Sequence, residues 1–216
     1  LETHSNFSFY HTNVEDRDAV DGIVKAHGDI DRIVHLAAQV GVRYSLQNPF
    51  EYVDTNILGQ LTLLEAARRL NNFRHFVYAS SSSVYGCNTD LPFSEDQRVE
   101  RPISVYAVSK LSCEMMAYCY AHLYRIPVSG LRFFTVYGPW GRPDMAAMTF
   151  VRKIAAGDTL QIFNNGNMKR DFTYIDDILT GTLNCLERPP IDKTSEPPSN
   201  IYNLGNNRGE DLMKFV

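Results

Sequence analysis

The 216-residue sequence predicts an α/β chain built on a doubly wound parallel sheet, and three observations carry that prediction. Apolar runs recur at residues 32–38, 73–79 and 127–134, and near-continuous hydrophobicity suits strands covered on both faces. Stretches of helical period stand between them, and strands alternating with helices at this spacing argue for right-handed βαβ units. The runs also end in small or hydroxyl-bearing residues: Ala37-Ala38, Ser80 to Ser83, and Thr135 to Pro139. Ligands of a doubly wound sheet sit at the carboxyl ends of its strands, so three strand ends converge on one expected site.

Taken in order, residues 7–11 form a short β-rich run read as a strand, with Asn13-Val14 at its end. Residues 15–27 read as a helix, acidic in its first turn and closed by Gly28. After the strand at 32–38, residues 49–70 read as one long helix with Ile57, Leu61, Leu64 and Ala67 on a stripe. The strand at 73–79 delivers a serine cluster, and the polar, proline-containing segment 87–104 is expected to loop over the site. A helix over 106–124 is expected to bury Leu111, Met115, Cys119 and Leu123, and the strand at 127–134 follows. Beyond Trp140 the pattern changes to a helix at 148–156, a short strand at 160–163 and turn chemistry at 164–167. Residues 170–175 lead into a helix with Asp176 or Asp177 as its N-cap. A proline-rich loop at 189–199, a strand at 200–204 and the start of a helix at 210–216 complete the chain.

Composition excludes several classes. The chain is 44% hydrophobic, enough for a sizeable core, and a formal charge of −4 with no basic run gives no support to a nucleic-acid partner. Cys87, Cys113, Cys119 and Cys185 form no C-x-x-C pair and no metal-ligand spacing with histidine. They are read as small core residues of a reduced, cytoplasmic compartment, and no metal is expected. No run approaches the roughly 18 apolar residues of a membrane span, so no membrane partner is expected. The chain begins at Leu1 in mid-stride and is read as a piece of a longer protein.

The chemistry centres on Ser80-Ser81-Ser82-Ser83-Val84-Tyr85-Gly86 and on Tyr106-Ala107-Val108-Ser109-Lys110. Positions i and i+4 share one helix face, so the Tyr106 phenol and the Lys110 ammonium can share a pocket. A phenol ordinarily titrates at about 10, and an adjacent fixed cation favours the phenolate. The pair makes a proton shuttle for a substrate alcohol, with a serine hydroxyl to hold the same oxygen. Tyr-x-x-x-Lys alone is common on amphipathic helices; the convergence of three strand ends is what gives it weight.

His35-Leu36-Ala37-Ala38, Asn56, the serine cluster with Val84-Tyr85-Gly86, and Tyr106-x-x-x-Lys110 together resemble the extended short-chain dehydrogenase/reductases. Two longer stretches are similar to the UDP-glucuronate 4-epimerases: Leu131-Arg132-Phe133-Phe134-Thr135-Val136-Tyr137-Gly138-Pro139-Trp140-Gly141-Arg142-Pro143-Asp144-Met145, and Lys169-Arg170-Asp171-Phe172-Thr173-Tyr174-Ile175-Asp176-Asp177-Ile178. The resemblance implies a Rossmann-like doubly wound sheet, lacking its first strands in this chain, with a small α+β substrate lobe. Residues 1–140 would be the NAD-binding domain without its phosphate-loop part. Residues 141–216 would be mainly the lobe, cut short at its end, with 171–185 and 200–204 packing back on the sheet. The family's Gly-x-x-Gly-x-x-Gly turn is not in this sequence, so NAD as cofactor rests on the resemblance.

The roles implied are these. Tyr106, as phenolate, takes the proton of the sugar 4-hydroxyl while the C4 hydride passes to NAD; Lys110 lowers the phenol and meets the nicotinamide ribose. Ser81 holds the same oxygen, with Ser82 as the neighbouring alternative. Asn13 and Val14 stand at the adenine, although the family often carries Asp at the first of these positions. Leu36, Ala37, Ala38, Phe133 and Val136 complete the cofactor wall. Asn56 supports the nicotinamide side or caps a helix irregularity. Arg142 offers a bidentate fork and Thr135 a hydroxyl to the uronate carboxylate. Gln161 and Phe163 lie near the uridine, Phe163 having ordinary packing as its alternative, and Arg170 faces the diphosphate. A homodimer joined through residues 50–70 and 108–124 is implied as well.

Rival activities differ at one place. Dehydratases carry an Asp-Glu pair, and decarboxylases a Glu, just before Val-Tyr-Gly, where this chain has Ser82-Ser83. Dehydration is therefore disfavoured, and decarboxylation less strongly, because a β-keto acid can lose CO₂ unaided. A non-catalytic, NAD-sensing protein on the same fold is the rival from another class.

Overall fold

Residues 4–215 are described by the structure, a computed structural model, apart from the side chains of Phe163, Asn164 and Phe215. The chain first forms α1 (Arg17–Ala26), capped where the Asp16 carboxylate accepts from Ala19 N, and then β1 (Arg32–His35). Two short turns of helix follow, α2 (Tyr44–Gln47) and α3 (Pro49–Tyr52), the second with proline at its start. A π-helical turn, Val53–Leu58, joins α3 to α4 (Gly59–Arg69). The stretch 49–70 is thus three pieces rather than one regular helix. Position 59, where α4 begins, has no room for a side chain, since a Cβ there would meet Val14 Cγ1 at 2.5 Å.

β2 (His75–Ser81) runs into a 3₁₀ turn, Ser82–Tyr85, and α5 (Val105–Tyr124) follows the intervening loop with Ser104 as N-cap. Next come β3 (Val128–Phe133), β4 (Thr135–Tyr137), α6 (Ala146–Ala156) and β5 (Lys169–Tyr174). The chain continues through α7 (Ile175–Leu186), β6 (Ser199–Leu204), β7 (Gly209–Asp211) and α8 (Leu212–Phe215). The main sheet is parallel, in the order β1-β2-β3-β6. Its register sets Ser81 beside Phe133 and Phe133 beside Leu204, so the strand ends form one shelf. Beyond the shelf, β4 pairs parallel with β5, and β7 runs antiparallel to β5.

The core lies between this sheet and the helices α4 and α5, around Leu64, Phe76, Tyr78, Cys113, Ala117, Ala121 and Val128. Gly130 admits the Tyr78 ring from the next strand, which a Cβ would meet at 2.5–2.6 Å. No helix among the described residues is long and apolar enough to cross a membrane.

Several expectations are corrected. Residues 7–11 form no strand: among the described residues no neighbouring strand supplies a ladder, and Phe9 and Tyr10 are exposed. Residues 160–162 are irregular and Phe163–Gly166 is a 3₁₀ turn, so the lobe draws its strands from 135–137 and 169–174 instead. The buried side of α5 is Ala107, Lys110, Cys113, Glu114, Ala117 and Ala121, while Met115 is 67% and Leu123 59% exposed. Small side chains let a helix lie close against a sheet, and that decides which face is buried. Asp176 and Asp177 sit in the first turn of α7, where they favour its positive end, and Tyr174 holds the N-cap position. Residues 209–211 are a strand before the last helix begins.

Candidate active site

Ser81 ends β2 and turns the chain: its Oγ accepts from Ser83 N at 3.1 Å, capping the 3₁₀ turn. Tyr106 lies in the first turn of α5, set by the Ser104 cap, where Oγ accepts from Ala107 N at 3.0 Å. The Tyr106 ring meets Tyr52 edge-on with centroids 6.1 Å apart, and Ser81 faces its phenol closely enough to favour the ionised form. One turn later Lys110 is buried, and its Nζ donates to Ala79 O at 2.8 Å.

The electrostatics depart from the expectation that Lys110 holds the phenol down. Burial is the largest influence on Tyr106 and pushes its pKa up, opposed by the Ser81 hydrogen bond and then by the positive charge of Arg142. Lys110 is itself shifted toward its neutral form by burial. His35, at the end of β1, is held neutral: burial first and the Lys110 charge second bring its pKa down to about 4.

Lys110 keeps hydrogen-bonding capacity in reserve. An ammonium carries three donors, and only the bond to Ala79 O has a partner among the described residues. A buried cation with unfilled donors suits sugar hydroxyls. Leu36 and Ala37 are exposed and Ala38 half-buried beyond β1, while Phe133 ends β3 and Val136 lies in β4, both half-buried.

Asn56 is fully engaged one layer back. Its Oδ1 accepts from Gln39 N (2.8 Å), and its Nδ2 donates to Gln39 O (3.0 Å) and Ser109 Oγ (2.9 Å). Ser109 in turn donates to Tyr106 O at 2.9 Å. Asn56 therefore ties the loop after β1 to the helix that carries Tyr106, and it sits within the π turn. Val14 packs against α4 at Gly59, and Asn13 is exposed, its carbonyl accepting from Asp16 N. Ser82 and Thr135 are half-buried at the shelf.

Arg142 follows β4 on a loop closed by two turns, Gly141 N to Gly138 O at 3.1 Å and Met145 N to Arg142 O at 3.2 Å. Its guanidinium forks onto Asp144 and interacts electrostatically with both Tyr106 and Tyr52. Ser81, Tyr106, Lys110 and Arg142 are thus gathered from β2, α5 and the loop after β4. Gln161 lies just before the 3₁₀ turn at 163–166 and Arg170 in β5, both exposed, with Arg170 Nη2 3.9 Å from Met168 Sδ. The Phe163 side chain is outside the described residues.

A second network was not anticipated. Arg132 donates to both oxygens of Glu114 (2.9 and 2.8 Å), and Ser80 Oγ donates to Glu114 Oε1 at 2.5 Å. Tyr85 Oη accepts from Arg132 Nη1 (2.9 Å) and donates to Asn203 Oδ1 (2.7 Å). The segment 87–104 docks on the same strand, since Asn203 Nδ2 donates to Phe93 O and Asn203 N to Glu95 Oε1. The available signal was a pair of opposite charges on two elements read as buried, Glu114 within a helix and Arg132 within an apolar strand.

Comparison with known proteins places this geometry. The model of the NAD dependent epimerase/dehydratase family matches residues 1–205. A probable UDP-glucuronate 4-epimerase of Rhizobium meliloti is 41% identical over 228 residues, covering 100% of this chain and 66% of that protein. The UDP-glucuronic acid 4-epimerase of Bacillus cereus, in complex with UDP-glucuronic acid and NAD, superposes with a TM-score of 0.87 at 36% identity. That match covers 100% of this chain and 65% of the other. A UDP-glucose 4-epimerase of Thermotoga maritima, with UDP-glucose, gives the same TM-score at 28% identity, covering 98% and 67%. The chain spans just under two thirds of the curated relatives it matches, 66% and 64% of two of them.

Proposed function

This chain belongs to the NAD dependent epimerase/dehydratase family, and from that premise we propose that it is part of an enzyme converting UDP-glucuronate to UDP-galacturonate by inverting C4. The observation that carries the reading is the positive charge of Arg142, which acts on Tyr106, on the helix that also carries Lys110. A cation beside the proton shuttle suits a sugar that carries a carboxylate next to the reacting carbon.

NAD, when bound, supplies the two-electron acceptor and donor that the inversion needs. The chain's own residues handle the proton and the geometry. A 4-hydroxyl reaching Ser81 Oγ and Tyr106 Oη would give its proton to Tyr106 once that phenol is ionised, which Ser81 and the charge of Arg142 favour against the opposing effect of burial. C4 loses a hydride as O4 loses a proton, giving a 4-keto sugar. The ring then presents its other face, C4 regains the hydride, and Tyr106 returns the proton, so the net change is an isomerisation. Lys110 would offer its unfilled donors to the nicotinamide ribose. Arg142 and Thr135 would hold the uronate carboxylate, and Arg170, Gln161 and Phe163 the UDP.

Ser82 and Ser83 support epimerisation over dehydration, because no carboxylate stands there to protonate a leaving hydroxyl. A neutral-hexose epimerase is the second reading, favoured by the equal structural likeness to a UDP-glucose 4-epimerase. A cytoplasmic homodimer completes the proposal: Val108, Met115, Tyr118 and Leu123 expose apolar surface on α5, as Phe50 and Val53 do on α3 and the π turn. The test is to incubate the full-length protein with NAD and UDP-glucuronate and analyse products by mass and NMR. An isomer of unchanged mass and galacto configuration supports the proposal. Loss of CO₂ marks a decarboxylase, turnover of UDP-glucose alone a neutral-sugar epimerase, and NAD binding without turnover a sensor.

A further inference from the structure

Arg142 presents two recognition edges, and only one is occupied. Its Nε donates to Asp144 Oδ1 at 3.0 Å and its Nη2 to Oδ2 at 2.5 Å. A guanidinium has five N–H donors, arranged so that two carboxylates can each be met by a fork. The remaining edge, Nη1 with the second N–H of Nη2, has no partner among the described residues. Nη2 lies near Gly41, where a Cβ would stand 3.9 Å away, and the charge acts on Tyr106 and Tyr52.

The backbone fixes Asp144 for this contact. Met145 N donates to Arg142 O at 3.2 Å, so residues 142–145 close a turn with Pro143 and Asp144 at its centre. Proline at the first central position pre-sets the backbone of such a turn. The pair is 40% and 64% exposed at its two side chains, and ion pairs that open to solvent contribute little stability. Orientation of the guanidinium is what the arrangement provides.

We propose that Asp144 is a positioning residue for the sugar carboxylate: it grips one edge of Arg142 so that the other faces the uronate beside Tyr106. The inference rests on the reading of the substrate as a UDP-hexuronic acid. Its consequence lies at the 4-keto stage, where the sugar is a β-keto acid. If the C5–C6 bond turns into line with the carbonyl π system it breaks, CO₂ leaves, and the bonding pair forms a C4–C5 enolate that takes a proton at C5. That leaves a UDP-4-keto-pentose, which becomes a UDP-pentose when C4 regains the hydride it lost and O4 a proton. A guanidinium held at one angle keeps the carboxylate out of that alignment. A freely rotating one does not.

The test compares full-length wild-type, Asp144→Ala and Asp144→Glu enzymes. Dissociation constants for UDP-glucuronate and for UDP are measured by calorimetry, and product composition by mass. Expected for Asp144→Ala are roughly tenfold weaker binding of UDP-glucuronate, the loss of one oriented charge-assisted contact, with unchanged UDP affinity. A decarboxylated UDP-pentose should appear among the products, and Asp144→Glu should restore part of both properties. Wild-type affinity and product ratio in Asp144→Ala overturn the inference. Tighter uronate binding overturns it too, marking Asp144 as a competitor for the fork. A wild-type enzyme that binds UDP-glucuronate no better than UDP removes the functional reading itself, and this inference with it.

Discussion

Arg132 and Arg142 both fork onto a carboxylate, yet they sit in opposite environments. At the strand shelf, Arg132 and Glu114 are 4% and 8% exposed. Arg132 commits Nε and Nη2 to Glu114 and Nη1 to Tyr85, whose ring it also overlies at 4.8 Å. Burial demands this, since an unpaired donor or charge in a low-dielectric interior is costly. On the loop after β4, Arg142 and Asp144 are 40% and 64% exposed, and one edge of the guanidinium is left open. The same side chain is a strut where all three guanidinium nitrogens are bonded and a recognition group where Nη1 has no partner among the described residues. Satisfaction of the donors, rather than the presence of an arginine, separates the two.

The largest expected effect breaks the strut. Glu114→Ala would leave Arg132 charged and buried and take away the acceptor of Ser80. Removing one partner of a buried ion pair costs about 3–5 kcal/mol, read as a lowered urea midpoint with unchanged slope. A loss under about 1 kcal/mol would show that water reaches Arg132 and that the two arginines differ less than their burial indicates. Next comes Tyr106→Phe, which removes a hydroxyl and keeps the ring against Tyr52. Turnover of UDP-glucuronate should fall by about 10²–10⁴-fold, the range for a lost general acid–base, with stability nearly unchanged. Near-normal turnover would exclude Tyr106 as the proton shuttle.

How much of this was legible beforehand follows the same division. Strand-helix alternation and the shelf of strand ends were readable because near-continuous apolar runs mark buried parallel strands. Ser81, Tyr106 and Lys110 were readable as a local spacing at those ends. What escaped depends on partners distant in sequence. The runs at 7–11 and 160–163 have β-rich composition but no neighbour to pair with among the described residues. The helix over 105–124 buries its small residues, so ranking positions by hydrophobicity selected Met115 and Leu123, which face outward. The π turn at Val53–Leu58 goes with Asn56 reaching Gln39 and Ser109, contacts that no local pattern announces. Even the direction of the Tyr106 shift depended on burial, which sequence spacing does not report.

A buried cation with no carboxylate sharpens the comparison further. Lys110 is 4% exposed, and burial first, with the Lys110 charge second, keeps its neighbour His35 neutral, its pKa lowered from 6.5 to about 4. Unfolded, His35 takes up a proton at its ordinary pKa; folded, it resists until about pH 4. Between those values the unfolded state binds more protons, so stability falls as pH falls from 6.5 toward 4 and is unaffected by His35 above that window. The full change is about 3 kcal/mol at 1.36 kcal/mol per unit. Urea unfolding at a series of pH values should show this slope, and His35→Gln should flatten it. An unchanged slope in the variant would place the acid sensitivity elsewhere.

The smallest expected effect concerns the open arginine. Arg142→Ala removes the solvent-exposed pair with Asp144, and such pairs contribute about 0–1 kcal/mol, so the urea midpoint should barely move. Its effect on chemistry should be out of proportion to that. Without the fork, the carboxylate of a 4-keto uronate is unrestrained, and mass analysis should find UDP-pentose rising against UDP-galacturonate. Glu114→Ala, which disturbs the shelf beneath Ser81, should instead slow all turnover without changing that product ratio. A ratio altered equally in both variants would mean that general loosening of the site, rather than the free edge of Arg142, governs the fate of the carboxylate. A large stability loss in Arg142→Ala would show that its donors are answered as fully as those of Arg132.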